Sequence, residues 1–238
     1  GKHVYATYNK LLDLYMKFRD IQLLNSGKYS PEKLEQNIIL DSYWENVRNQ
    51  FCIRLPEKFE FLNISKLNIK LGNFEGNPFE EPAKDGIAVY KRDDYSFKEF
   101  MALSEIEKYH KSLFYIEDSL IKLCIQFNLE SMIIEIIKDI SRQIRDDNSE
   151  YKKIHKKTTK WHPSRKVNAT TELYFTKSGI SASLNILNKS SEVLSSHVIS
   201  DSKTWEYIWY QLWKGYWNDN KFIIEDKAGK QVFEVNAF

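Results

Sequence analysis

Few residues of this chain have a type and spacing that could do chemistry. Its two cysteines, Cys52 and Cys124, each stand in an apolar run, NQFCIRL and KLCIQF. A cysteine nucleophile needs a histidine partner and an accessible, electropositive setting, and an apolar run offers neither. We therefore expect two buried thiols in a reducing compartment, which predicts a cytoplasmic protein.

Histidine and carboxylate side chains show no catalytic or metal-binding pattern. His155 and His162 lie among lysines, whose positive field opposes a divalent cation. The adjacent acidic pairs fall in predicted loops or at element ends: Glu80–Glu81, Asp93–Asp94 and Asp146–Asp147. No CxxC, HExxH, GxSxG or phosphate-binding glycine motif occurs. The sequence predicts no catalytic residue, no metal or cofactor site and no small-molecule substrate, and hence a protein that is not an enzyme.

One short segment supplies the net positive charge of the chain. Residues 151–166, YKKIHKKTTKWHPSRK, hold seven basic and no acidic residues, whereas the net charge of the whole chain is +2. Basic residues around a tryptophan suit a phosphate backbone with one stacking platform, and they equally suit the acidic surface of a protein partner. A solvated connector without a partner is the third interpretation. The candidate partner-binding residues here are Lys152, Lys153, Lys156, Lys157, Lys160, Trp161 and Arg165.

A second segment, residues 204–217, is rich in aromatic residues. Its sequence TWEYIWYQLWKGYW contains four of the six Trp residues of the chain. The helical period places six residues on one apolar face, which predicts a helix over about 202–216 that covers a sheet: Trp205, Ile208, Trp209, Leu212, Trp213 and Tyr216. Tyr207, Tyr210 and Trp217 fall off this face. Because exposed aromatic residues are enriched where proteins bind proteins, we add these three to the candidate partner-binding residues.

The elements that position these segments differ along the chain. Helical periodicity predicts four helices, within residues 5–23, 31–51, 95–129 and 130–147. Alternation over 59–71 and 87–91 predicts a short β pair. After the basic segment, the runs VNATTELYFT, ISASLNIL and VLSSHVI predict three strands, and KFIIED and QVFEV predict a hairpin around KAGK.

The predicted fold class is α+β, with a helix-rich N-terminal part and a β-β-β-α-β-β C-terminal sheet. We expect a helix-rich subdomain over 1–150, a basic connector over 151–166 and an α+β subdomain over 167–238. Hydrophobic residues make up 42% of the chain, but no run approaches the ~18 apolar residues of a membrane span. No association with a membrane is therefore expected.

The order of predicted elements along the chain also resembles a known class of proteins. Its predicted helices are followed by LNIKLG and by GIAVYKRDDYSFKEFMALSEIEKYHKSLFYIEDSLIKLCIQFNL, and the aromatic segment and FIIED…QVFEV come later. This arrangement resembles the immunity proteins of bacterial polymorphic-toxin and contact-dependent-inhibition systems. The resemblance implies a cytoplasmic, non-catalytic toxin inhibitor that binds and neutralises one cognate toxin domain by surface complementarity. The alternative is a nucleic-acid-binding accessory protein that uses residues 152–166.

Overall fold

Helices and strands are mixed along the whole described chain, which divides into two units. The structure, a computed structural model, describes residues 17–25, 30–72, 74–82, 85–148, 150–202 and 205–237. Unit 1 comprises residues 1–145 and unit 2 comprises residues 146–238. The α+β class expected from the sequence is confirmed. Within the described ranges, no helix has the length and apolar character needed to cross a lipid bilayer.

Unit 1 is built on a four-stranded sheet. In the order β1-β2-β4-β3, its strands are β1 (Asp20–Asn25), β2 (Lys66–Leu71), β4 (Ile87–Arg92) and β3 (Phe79–Glu80). The strands β1, β2 and β4 run parallel, and β3 runs antiparallel to β4. Every second residue of the three parallel strands is buried, which is the period of strands with one face in the core.

Two sequence-based predictions for this part of the chain are wrong over the residues that the structure describes. The helix expected within residues 5–23 lies largely outside the described residues, and its described end belongs to the strand β1. Ile21 and Leu23 are buried there at alternate positions, so the strand period, and not the helical one, matches the core. The expected β pair is instead the parallel centre of a larger sheet, so the first half is not a helical part with a small β addition.

Four helices complete the described part of unit 1: α1 (Pro31–Arg54), α2 (Phe97–Ala102), α3 (Glu105–Gln126) and α4 (Ser131–Asp146). Ser30 caps α1 by accepting a hydrogen bond from the Lys33 amide. Ser104 and Glu107 form a capping box that starts α3, so the single helix expected after residue 95 is divided in two. After α3, Asn128 adopts a positive φ of 50°, which asparagine tolerates well.

Unit 2 contains two antiparallel sheets and one short α-helix among its described residues. The larger sheet has the order β5-β7-β8-β9, with β6 also paired to β7: β5 (Tyr151–Ile154), β6 (Lys160–Trp161), β7 (Val167–Thr176), β8 (Gly179–Asn188) and β9 (Val193–Ser202). A 3₁₀ turn, Lys156–Thr158, joins β5 to β6. The helix α5 (Trp205–Gln211) leads to the smaller sheet, which consists of β10 (Lys214–Asn218), β11 (Lys221–Glu225) and β12 (Gln231–Asn236).

The observed order of unit 2 corrects the expected β-β-β-α-β-β arrangement at two places. The basic segment is not a connector, because β5 and β6 both pair with β7. The aromatic helix is shorter than expected, because it ends at Gln211 and the chain then enters β10, which pairs with β11. Gly215 favours this exit from the helix, since glycine is among the poorest helix formers. The three long strands and the terminal hairpin expected from the sequence are present.

Candidate functional site

The basic and the aromatic segments, far apart in sequence, lie side by side in unit 2. The 3₁₀ turn and β6 of the basic segment both contact β10 of the aromatic segment. We define the basic–aromatic surface as the described side chains of residues 152–166 and 205–217 that are exposed or half-buried, together with Lys227. This surface contains all ten partner-binding residues expected from the sequence.

Threonine hydrogen bonds anchor the lysine-bearing 3₁₀ turn to β7. Thr158 is fully buried, and its carbonyl oxygen accepts a hydrogen bond from Thr171 Oγ1 at 2.9 Å. The Thr171 amide in turn donates to Thr159 Oγ1 at 3.1 Å. The Thr171 carbonyl accepts a hydrogen bond from the His155 amide at 2.8 Å. Because buried polar groups are costly to leave unpaired, these bonds hold the backbone that carries the lysines in one arrangement.

His155 sits within this anchor and does not contribute to the positive charge. Its Nδ1 lies 2.8 Å from Thr158 Oγ1. Burial, helped by the charges of Lys157 and Lys153, lowers the pKa of His155 to about 4. The imidazole is therefore neutral at pH 7 and adds no positive charge to the lysines around it.

Two lysines from distant segments lie over the same pair of tryptophans. Trp209 and Trp213 meet edge to face, with their ring centroids 4.8 Å apart. The ammonium nitrogen of Lys157 lies 3.8 Å from the centroid of Trp213 and 5.3 Å from that of Trp209. Lys227, from the turn after β11, lies 5.1 Å from Trp209 and 5.6 Å from Trp213. At partly exposed sites each such cation–π contact stabilises by about 0.5–1 kcal/mol.

Trp217 joins β10 to the basic segment. Its indole Nε1 donates a hydrogen bond to the Lys160 carbonyl oxygen at 3.0 Å, and its ring meets the His162 ring edge to face at 4.9 Å. Gly215 permits this close approach, because a Cβ there would lie 2.7 Å from Phe222 Cζ and 2.8 Å from Thr158 Cα. Trp217 was expected as an exposed recognition residue, but it is half-buried and connects the two segments.

Other predicted partner-binding residues remain open to solvent. Trp161 is 50% exposed, Tyr207 49% and Tyr210 41%. Lys160 and Arg165 are exposed, and within the described chain no carboxylate lies within ion-pair distance of either. The remaining three predicted lysines have other surroundings: exposed Lys152 pairs with Glu172 at 3.5 Å, Lys153 is half-buried on β5, and Lys156 is exposed on the 3₁₀ turn.

Sequence reasoning missed Lys227 and the role of His162. Lys227 lies in the turn KAGK, where a lysine between two strands gives no sign that it faces a tryptophan pair. His162 was considered as a metal ligand, but its Nε2 contacts the Asp219 carbonyl oxygen at 3.0 Å and its ring packs on Trp217. The two His162 contacts depend on how β10 and the turn after it pack against the basic segment. No pattern of neighbouring residues in the sequence indicates that packing.

Unit 1 contains a separate charged cluster around Arg92, at the end of β4. The guanidinium of this buried arginine donates two hydrogen bonds to Asp94, at 2.9 and 2.6 Å, and one to Asp118 at 2.6 Å. It also lies over the rings of Phe114 and Tyr115, at 5.4 and 5.2 Å. The hydrogen bond from Arg92 lowers the pKa of Asp94. The Asp93–Asp94 pair noted in the sequence thus has one member paired with Arg92, and Asp118 links the same arginine to α3.

An open cleft of unit 1 has most of its charges already paired. It has a volume of about 830 Å³ and lies between the end of α1 and α4. Its paired charges are Lys138 with Glu135, Arg142 with Asp139, and Arg145 with Glu117. The remaining cation of the lining, Arg54, donates a hydrogen bond to the Gln50 carbonyl oxygen at 2.9 Å.

The remaining candidates for chemistry occupy structural positions. Cys124 is buried on α3, and burial raises the pKa of its thiol to about 11, whereas Cys52 is half-buried on α1. Glu80 of the Glu80–Glu81 pair contacts Lys91 at 2.5 Å. Among the residues that the structure describes, no three His, Cys, Asp or Glu side chains come together as a metal site.

No protein-family model, no curated protein and no solved structure matches the chain. Function is therefore inferred from the geometry and charge of the basic–aromatic surface.

Proposed function

We propose that this chain is a non-catalytic immunity protein of a bacterial polymorphic-toxin or contact-dependent-inhibition system, and that it acts in the cytoplasm. It binds its cognate toxin domain through the basic–aromatic surface and neutralises the toxin by covering it. The observation that carries the proposal is the convergence of residues 152–166 and 205–217 on one anchored surface. The resemblance of the chain to immunity proteins supports the same function.

The composition of the surface suits a protein–protein interface. A standard interface buries roughly 1,600 Å² in total, and a few Trp, Tyr or Arg anchors supply most of its affinity. The basic–aromatic surface offers Trp161, Tyr207 and Tyr210 as exposed aromatic residues and Arg165 as an exposed arginine. Rigid aromatic side chains lose little conformational entropy on binding. The surrounding lysines would speed the encounter with an acidic toxin surface.

A nucleic-acid partner is the second candidate, and Trp161 is the residue that favours it. This half-exposed ring follows Lys160 and precedes Arg165, an arrangement that suits one stacked base between phosphates. Base stacking requires free ring faces, and three other tryptophans of the surface already contact neighbouring side chains. Trp209 and Trp213 lie under Lys157 and Lys227, and Trp217 packs on His162. These three rings therefore favour a protein partner over a nucleic acid.

Growth rescue with the toxin encoded beside this gene tests the proposal. Cells that express the toxin domain should grow when the wild-type chain is co-expressed. The triple variant K160E/R165E/K166E should lose this rescue, because it places three negative charges where the partner's acidic surface docks. The control K58E/K98E/K189E changes the net charge equally at exposed residues outside the surface and should still rescue. Absence of rescue by the wild-type chain, or equal rescue by both variants, contradicts the proposal.

A further inference from the structure

Lys157 and Lys227 form a pair of positive charges without a carboxylate partner in the described chain. Both side chains are exposed, and among the described residues no carboxylate lies within ion-pair distance of either ammonium nitrogen. The two nitrogens lie 3.8 and 5.6 Å from the same point, the ring centroid of Trp213. They are therefore less than about 10 Å apart, which is the Debye length in 0.1 M salt, so an anion beside one lysine also feels the other.

Both lysines extend from backbone that hydrogen bonds hold in place. Lys157 belongs to the 3₁₀ turn that the threonine hydrogen bonds anchor to β7. The Lys227 amide donates a hydrogen bond to the Tyr210 carbonyl oxygen at 2.9 Å, which ties the turn after β11 to the last turn of α5. In the same turn Asp226 is buried, and its Oδ1 accepts hydrogen bonds from two backbone amides, both at 2.9 Å. A partner therefore meets two cations whose supporting backbone is already ordered, which lowers the entropic cost of binding.

Trp209 and Trp213 hold the two ammonium groups without neutralising them. The electron-rich faces of the two rings attract both cations, which offsets part of the repulsion between like charges. A lysine ammonium has three N–H donors, so an anion can bind each group on the side away from the ring. A partner that also excludes water would strengthen the cation–π contacts and the new ion pairs, because both are stronger in a less polar environment.

Carboxylates of a protein fit this pair better than the phosphates of a nucleic acid. Single-stranded nucleic acids add base stacking on free ring faces to their phosphate contacts, and the two tryptophans nearest to Lys157 and Lys227 are covered by those lysines. Two acidic side chains one helical turn apart have Cβ atoms about 5–6 Å apart, a separation that the two ammonium groups can match.

We propose that Lys157 and Lys227 together bind two neighbouring Asp or Glu side chains of the toxin domain, and that these contacts anchor the interface. Charge pairs that lose their water on binding are among the groups whose truncation costs the most affinity. The inference rests on the proposed function, because it names the part of the toxin that the basic–aromatic surface binds.

Calorimetric titration of the purified toxin domain with lysine variants tests the anchor. The variant K157M/K227M removes both charges and keeps unbranched side chains of similar length, and it should bind the toxin about 100-fold more weakly than the wild type does. The control K58M/K98M removes two positive charges at exposed positions outside the surface and should bind as tightly as the wild type. Circular dichroism and thermal unfolding show whether each variant is folded.

Carbodiimide crosslinking of the wild-type complex identifies the partner groups. The reagent joins an amine to a carboxylate that contacts it, so mass spectrometry should find Lys157 and Lys227 each linked to an Asp or Glu of the toxin. A wild-type chain that binds the toxin while K157M/K227M binds it equally well overturns the inference and leaves the proposed function standing. Toxin carboxylates linked only to other lysines overturn it in the same way. A wild-type chain that does not bind the toxin overturns the proposed function itself, and the inference with it.

Discussion

Replacement of Gly215 by alanine is the sharpest perturbation of the contact between the basic and the aromatic segments. The added methyl group would lie 2.7 Å from Phe222 Cζ, 2.8 Å from Thr158 Cα and 3.2 Å from Thr158 Cβ. Carbon atoms pack best at about 3.5–4.0 Å, so the methyl group overlaps both neighbours. Phe222 is fully buried, and Thr158 is fixed by its bond to Thr171, so neither moves cheaply.

The expected cost follows from these contacts. Overpacking a filled core costs about 1–3 kcal/mol. Alanine restricts the unfolded chain more than glycine does, which returns about 0.4–1 kcal/mol where the backbone accepts it. We expect G215A to lower the free energy of unfolding by about 1–2 kcal/mol. The strain acts between β10 and the 3₁₀ turn, so the variant should also move Lys157 relative to Trp213.

Urea denaturation followed by circular dichroism measures this change, and tryptophan fluorescence of the folded variant reports on the lysine–tryptophan contact. The variant F222L removes the nearer neighbour. The double variant G215A/F222L should therefore be more stable than the sum of the two single losses predicts. The overlap with the Thr158 backbone remains, so the rescue should be partial. A G215A chain as stable as the wild type would refute the close packing of β10 on the basic segment.

Three further predictions concern the anchor, the charged cluster of unit 1 and the rate of binding. Burial holds the pKa of His155 at about 4, below its ordinary value of 6.5, so the unfolded chain takes up this proton first as the pH falls. The free energy of unfolding should be level above pH 6.5 and fall by up to about 3 kcal/mol towards pH 4. In urea titrations at several pH values, H155Q should flatten this loss. The control H110Q, at an exposed position, should not. R92L should lower the free energy of unfolding by about 2–3 kcal/mol in the same assay, because it removes the partner of Asp94 and Asp118. Water can partly solvate these two carboxylates, which limits the loss. A loss below about 1 kcal/mol would contradict a stabilising role for the cluster. The association rate with the toxin should fall as salt rises from 0.02 to about 0.5 M, since the Debye length shrinks below 10 Å; a constant rate in stopped flow would exclude charge steering.

Local signals in the sequence were sufficient for elements whose ends have their own chemistry. Ser30 before Pro31 predicts the start of α1, and the structure shows that cap. Lys177 and Ser178 before Gly179 likewise indicate a turn in the sequence, and they lie between β7 and β8 in the structure. In such cases the hydrogen-bonding partners lie within a few residues of each other, so the local sequence already shows what forms the cap or the turn.

Elements that depend on distant partners were not predictable in this way. Leu23 was assigned to the helix expected within residues 5–23, but the alternation of Ile21 and Leu23 is that of a strand, and pairing with β2 fixes the strand. The spacing of Trp209, Trp213 and Trp217 suggests a continuous helix, but β10 gains its hydrogen bonds from β11 instead. For short apolar runs, periodicity alone cannot separate these outcomes.

The candidate site was likewise predictable in part: its segments could be identified from the sequence, but the contact between them could not. The composition of residues 152–166 and 204–217 identified both segments as candidate binding surfaces. Their contact through Gly215 and Trp217 could not be predicted, because it arises from the packing of β10 on the 3₁₀ turn. That contact turns two separate patches into one basic–aromatic surface.

Photo-crosslinking from Trp161 tests most directly whether this surface binds a protein. A benzophenone amino acid replaces Trp161 in cells that also express the neighbouring toxin gene, and a control carries it at Ile38, which is 65% exposed on α1. We predict one covalent adduct of the chain with the toxin domain from position 161 and none from position 38. An adduct with nucleic acid from position 161, or toxin adducts of equal yield from both positions, would contradict the account.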